Sequence, residues 1–194
     1  MHDIEPYFHW RDKYISSEDK ESPLYGRSYD EFYFENRVYN YYIHPQWDEF
    51  GSPTLYLKII FADYASGFAC LELIGEWNDC VSNDIMFLKR EIIDPMMRSG
   101  INKFVLLCGN VLNFHGDDVE YYEEWHEEVT EEGGWICFIN LLDHVQQEME
   151  DTRIDRHVFM GEPFNDINWR KHEPEFIKDI VEAMIGKIIM RIDD

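Results

Sequence analysis

The sequence predicts an α/β fold built around a largely parallel sheet. Three observations carry this. From residue 68 onward, strand-like and helix-like segments alternate, the order that right-handed βαβ units impose. Two short runs, residues 104–108 (Phe-Val-Leu-Leu-Cys) and 135–139 (Trp-Ile-Cys-Phe-Ile), are almost continuously apolar, as strands covered on both faces are. Ahead of them lie two strand-like runs separated by a turn, the signature of a hairpin.

The elements follow in order. Residues 1–53 are rich in Tyr and Phe, with turn signals at Ser22-Pro23, Tyr25-Gly26 and residues 51–53. They read as an aromatic extension packed on the core, with residues 39–43 as a candidate edge strand. The α/β domain proper is expected over 54–194. Residues 54–61 form its first strand, residues 65–67 a turn, and residues 68–74 the second strand. Ser82 or Asn83 can cap a helix whose apolar residues Ile85, Leu88, Ile92 and Met96 share a face. Pro95 should kink or end it, and Gly100 marks its stop. After the strand at 104–108 comes an amphipathic helix over 117–129, with Val119, Tyr122, Trp125 and Val129 on its inner face; Gly133-Gly134 ends it. The strand at 135–139 leads to a short helix with Leu142, Val145 and Met149 inward, then a last short strand at 157–160. Pro174 suits the first position of a final helix, striped by Ile177, Ile180, Val181, Met184, Ile185 and Ile188.

Composition narrows the function. The chain has 194 residues, 45% hydrophobic and 16% aromatic, too apolar for disorder and long enough to bury a core without staples. Its formal charge is −23, which repels phosphate backbones and anionic membranes; no nucleic-acid or membrane partner is expected, and a cationic partner is favoured. The N-terminus, Met1-His-Asp-Ile-Glu-Pro, has neither the basic nor the apolar region of a signal peptide, and no run approaches the roughly 20 residues of a membrane span. Cys70, Cys80, Cys108 and Cys137 show no CxxC or zinc spacing, and three of them fall in apolar runs. Buried reduced thiols in a cytoplasmic protein are the expectation.

Charge is also unevenly placed. Residues 104–152 hold thirteen Asp and Glu and no Lys or Arg, and nine of the acids lie between Asp117 and Glu132. Glu120 with Glu124, Glu123 with Glu127, and Glu127 with Glu131 are i, i+4 like-charge pairs, costing a few tenths of a kcal/mol each, and no lysine is expected to relieve them. A helix that is only solvated usually mixes signs. Asp117 and Glu120 form an Asp-x-x-Glu capping pattern, whose removal would cost about 1 kcal/mol. Glu123 and His126 form a single Glu-x-x-His, whereas di-iron sites need two copies and further glutamates. His115 with Asp117 or Asp118 offers a loose metal pair at most. Nucleophile elbows, dinucleotide fingerprints and P-loops are absent.

The order of elements resembles the STAS domain, the fold of anti-sigma-factor antagonists, over roughly residues 54–190. Residues 73–79 (Leu-Ile-Gly-Glu-Trp-Asn-Asp) resemble the family's strand ending in a Gly-Glu and Asp turn, and residues 104–113 its central strand and following turn. Residues 133–139 resemble its Gly-Gly and buried strand, and residues 142–160 its short helix and last strand. Residues 113–118 (Asn-Phe-His-Gly-Asp-Asp) then sit where the family carries its phosphorylation loop. The phosphorylated Ser or Thr is missing; Asp117 takes its place and Asp118 the next. A carboxylate there resembles a permanently phosphorylated loop, although phosphate carries a charge nearer −2.

The reading that follows is a STAS-like, non-enzymatic regulatory or protein-interaction module. Its surface is Asn113, His115, Asp117, Asp118, Glu120, Glu123, Glu124, Glu127 and Glu131, facing a basic protein partner, with no cofactor or metal. One alternative is a binder of an apolar small molecule or lipid in a cavity lined by the extension. The other is a metal-dependent enzyme centred on His115, Asp117, Glu123 and His126.

Overall fold

The computed structural model describes residues 4–30 and 32–192. Its centre is a four-stranded sheet in the order β3-β4-β5-β6. β3 (Leu55–Asp63) and β4 (Phe68–Asn78) form the expected antiparallel hairpin, with Leu55 opposite Gly75 and Asp63 opposite Phe68. β5 (Lys103–His115) lies parallel to β4, and β6 (Trp135–Ile139) parallel to β5, with Lys103 opposite Trp135. The two apolar runs are therefore adjacent parallel strands, and their side chains are buried on both faces.

Helices cover both sides. Against one face pack Ile85, Leu88, Ile92 and Met96, together with Tyr122 and Trp125 of α4 (Glu120–Glu131) and Val145 and Met149 of α5 (Asp143–Asp151). Against the other pack Ile177, Val181 and Ile185 of α6 (Pro174–Ile192), with Trp10 and Trp169. Two glycines set close approaches that no side chain would allow. A Cβ at Gly75, where φ is +125°, would collide with the Thr54 carbonyl, and one at Gly134 with the carbonyl of Asn102.

Several local expectations need correcting. The helix after β4 starts earlier than Ser82. Asn78 caps a single turn, α1 (Asp79–Ser82), by accepting from the Val81 N–H at 3.0 Å. Asn83, at φ +53°, separates it from α2 (Asp84–Phe87) without making a side-chain cap. Pro95 neither ends nor breaks the helix. A π-helical turn at Leu88–Ile93, in which the Asp94 N–H donates to the Lys89 carbonyl, shifts the bonding register just before it. Pro95 then falls in the first turn of α3 (Asp94–Arg98), where no N–H is needed. The expected last strand at 157–160 is reduced to one bridge, Cys137 to Phe159, because Arg153 at φ +66° and a 3-10 turn at Ile154–Arg156 curl the chain first. Residues 39–43 do not extend the main sheet; they contribute to a separate hairpin of β1 (Arg37–Val38) and β2 (Tyr41–Tyr42).

Residues of the first 53 contact the sheet through both apolar and ionic groups. Trp10 is buried beside Trp169, with ring centroids 5.7 Å apart. Glu72 of β4, almost fully buried, accepts from the Tyr7 N–H at 2.7 Å and from Arg170 at 2.9 Å. Cys70, Cys108 and Cys137 are buried free thiols, and Cys80 is exposed.

Candidate functional site

β5 does not turn at residue 109. It runs on to His115, with Val111 and Phe114 buried, so Asn113 and His115 stand at the end of a strand instead of in a loop. Their side chains meet, the Asn113 amide nitrogen lying 2.9 Å from His115 Nε2. The connection to α4 is then short, residues 116–119. Asp117 does not cap the helix. Val119 occupies the N-cap position without a side-chain bond, and Asp118 accepts from the Glu120 N–H at 3.3 Å. The expected capping box does not form, because the strand runs on to His115 and the helix start falls two residues after Asp117, at Val119.

This connection is pinned to the β4–α1 turn. The Cys80 thiol donates to the Gly116 carbonyl at 2.6 Å. Deeper, Asp79 accepts from the Trp77 indole at 3.0 Å, the Ile85 N–H at 2.8 Å and the Tyr122 hydroxyl at 2.8 Å. Burial pushes the Asp79 carboxyl up to about 6, against the pull of those three donors. Asp84 is raised by burial too, although it accepts from the Asn78 N–H at 2.7 Å. Between the turn and the connection lies a cleft of about 380 Å³, lined by Asp117, Asp118 and Glu120 on one side and Cys80 and Val81 on the other. Val81 is 83% exposed, an apolar side chain held open beside three carboxylates.

The helix itself divides its acids into two groups. Lys89 and Arg90, from the π-helical turn, reach across to it. Lys89 Nζ lies 2.6 Å from Glu128 and 3.5 Å from Glu124, and Arg90 donates to both oxygens of Glu124 at 2.8 Å. Hydrogen bonding to Arg90 holds the Glu124 carboxyl below its usual range. Glu124 therefore belongs to an internal ion network, not to the open face, and relief comes from a neighbouring helix. Glu120, Glu123, Glu127 and Glu131 form the outer stripe, all exposed, with no cation paired to them among the described residues.

The four residues considered as a metal centre do not converge. His126 Nδ1 lies 2.8 Å from the His157 carbonyl, and the two imidazoles stack edge-on at 5.9 Å. Burial, with the neighbouring His126, lowers the pKa of His157. Among the described residues, no three His, Cys, Asp or Glu side chains gather as a metal site would require. Nor is any described helix long and apolar enough to cross a membrane.

Sequence reasoning missed Asp79, Val81 and the Lys89-Arg90 pair. The signal for Asp79 was present in the Gly-Glu and Asp pattern of residues 73–79. Nothing local marked the two cations, because their partners lie some 35 residues downstream.

The element order is an antiparallel hairpin feeding a parallel β4-β5-β6 sheet with helices between the parallel strands, the order expected from the resemblance in sequence. No family model matches the chain, and no curated sequence does. Among solved structures it is similar to a crystal structure of a Thermotoga maritima protein, TM1081, assigned as an anti-sigma factor antagonist. That match has 16% identity and a TM-score of 0.41, covering 57% of this chain and 87% of the other. It is also similar to an NMR structure of TM1081, at 15% identity and a TM-score of 0.38, covering 53% and 83%.

Proposed function

We propose that this protein is a non-enzymatic regulatory module that binds a basic protein partner. The contact surface is the outer stripe of α4 continued into the cleft of Asp117, Asp118 and Glu120. The observation that carries this reading is the sorting of charge on α4. Lys89 and Arg90 neutralise the acids on its inner flank, while Glu120, Glu123, Glu127 and Glu131 have no cation paired to them among the described residues. Net solubility would be served by acids placed anywhere. A stripe joined to an exposed apolar Val81 is what an interface with a cationic rim and a small apolar contact needs. Asn113 and His115, at the end of β5, flank the same connection and complete the surface.

The test uses the chain with Glu120→Lys, Glu123→Lys and Glu127→Lys beside a Val81→Ser variant. Partners captured by the unaltered protein from its native source are identified, purified and bound to each variant. Association with the unaltered protein should slow about tenfold between 50 and 300 mM salt, and the charge-reversed protein should lose it. Retention of every partner by both variants sinks the reading.

An apolar-ligand function finds support in one observation. A cleft of about 280 Å³ beside the β1–β2 hairpin is lined by Val38, Ile43, Ile74 and Leu112, with Tyr41 and Asn110 supplying polar groups. Binding of an uncharged apolar probe that Leu112→Asp abolishes would favour this second reading.

A further inference from the structure

α6 packs on the sheet through Ile177, Val181 and Ile185, and its opposite side faces outward. Along that side lie Phe176, Asp179, Ala183, Lys187 and Met190, all exposed. Steps of three or four residues put them on one stripe of the helix. Met190 is 71% exposed. Phe176 is still 50% exposed, although its ring lies 5.0 Å from that of His172. Large apolar groups therefore stand uncovered at both ends of the stripe.

The order of groups along it is self-complementary about Ala183. Asp179 lies four residues before Ala183 and Lys187 four after; Phe176 lies seven before and Met190 seven after. A second copy of α6, laid antiparallel with a two-fold axis at Ala183, would bring each Asp179 to the partner's Lys187. It would bring each Phe176 to the partner's Met190. Neither Asp179 nor Lys187 makes an ion pair within the chain among the described residues. Glu175 and Arg191, eight residues either side, repeat the match at the rim, although Lys13 already lies 3.4 Å from Glu175. Glu182 is held by Lys103 at 2.7 Å. The helix as a whole sets Glu175, Asp179 and Glu182 against Lys178, Lys187 and Arg191, in a chain of net charge −23. Two copies meeting here bring no excess of like charge into contact.

The backbone allows a close approach as well. Gly186 lies beside the axis, and an added Cβ there would meet nothing within 4 Å. No neighbour in this chain requires glycine at that position, yet glycine in a helix interior costs about 1 kcal/mol relative to alanine. Small groups at a crossing let two helices approach to about 8 Å.

We propose that α6 is a homodimer interface, two copies pairing antiparallel through this stripe with Asp179 bonded to the partner's Lys187 and Phe176 packed on the partner's Met190. α6 and α4 cover opposite faces of the sheet, so the dimer leaves both copies of the acidic stripe open.

Sedimentation equilibrium of the full chain is measured from about 1 μM to about 1 mM, in roughly 150 mM salt to screen long-range repulsion between acidic chains. Pairing through one helix should show a Kd on the order of 50 μM. Met190→Asp should weaken it about tenfold or more, by placing a charge against Phe176. Asp179→Lys and Lys187→Asp each set like charges across both symmetric contacts, and each alone should weaken pairing about tenfold. Mixed in equal amounts, these two variants should pair again, because one chain then presents two lysines and the other two aspartates at these positions. Thermal melts check that each variant stays folded, as expected for exposed positions. A chain that stays monomeric up to about 1 mM overturns the proposal. So does a dimer unaffected by either charge variant, or a mixture that pairs no better than the variants alone.

Discussion

The Lys89 ammonium, with no exposed side-chain surface, lies 2.6 Å from Glu128 on the neighbouring helix. The same nitrogen is 2.5 Å from Asp94 and 3.5 Å from Glu124. Burial pulls its pKa down, but hydrogen bonds to Asp94 and Glu128 more than offset this, and the pKa is raised. One cation, together with Arg90, therefore decides which carboxylates of α4 are spoken for and which remain available outside.

Lys89→Met should cost about 3 kcal/mol of stability, the lower end for breaking a buried ionic network, because its acidic partners keep some solvent. Arg90→Ala should cost no more than about 1 kcal/mol, since its side chain is 45% exposed and its pairs are screened. Urea denaturation of both variants measures the difference. Equal losses would mean that burial is not what sets the strength of this network.

Asp79 should make the protein less stable as pH rises. Its folded pKa, about 6, lies above the ordinary 3.8, so the folded chain holds a proton that the unfolded chain has already lost. The stabilisation is complete below pH 3.8 and is lost as pH rises through 6, a span of about two units and hence about 3 kcal/mol. Asp79→Asn keeps the three hydrogen bonds, with its Oδ1 accepting from Trp77 and Ile85 and its amide donating to Tyr122. That variant should gain stability at pH 7 and show a shallower decline between pH 4 and 6. Asp84 and Glu72 are raised by burial as well, so some slope should survive. Parallel pH profiles that never diverge would contradict the assignment.

The four strands were legible because the sheet buries both faces, so β3, the start of β4, the start of β5 and β6 read as apolar runs. The rest of β5 was not. Gly109, Asn110 and Asn113 interrupt its pattern where β6 has ended and only β4 still pairs with it. A strand bonded on one side tolerates polar residues that look like a turn. The position of the acidic surface was readable from the absence of Lys and Arg over 104–152. Its division into neutralised and free acids was not, because Lys89 meets Glu128 only through packing of two helices 39 residues apart in the chain.

Arg170→Ala should loosen the N-terminal segment. Glu72, 1% exposed, would keep only the Tyr7 N–H, and burial already raises its pKa. The expected loss is about 2 kcal/mol at pH 7, less than for a fully buried pair because Arg170 is 52% exposed. The loss should shrink as pH falls through the raised pKa of Glu72, where the protonated carboxyl no longer needs a cation. Limited trypsin digestion should cut faster at Arg11 and Lys13, which lie just beyond Tyr7. Unchanged cleavage with unchanged stability would show that Trp10 and Trp169 hold the segment alone.

The outer stripe of α4 predicts that a gain made by a single variant is cancelled in the triple variant. Glu127→Lys places a lysine four residues after Glu123 and four before Glu131, turning two repulsive pairs into attractive ones. The gain should be about 0.5–1 kcal/mol at low salt, helped by a cation nearer the C-terminal end of the helix. Glu123→Lys, Glu127→Lys and Glu131→Lys together restore like-charge pairs with the opposite sign, so that triple variant should fall back to near the stability of the unaltered chain. Urea melts at 20 mM and 500 mM salt distinguish this from a propensity effect, since glutamate and lysine have similar helix propensities and only a charge effect fades as salt rises. A triple variant as stable as Glu127→Lys would mean that the repulsion along this stripe is already screened by solvent.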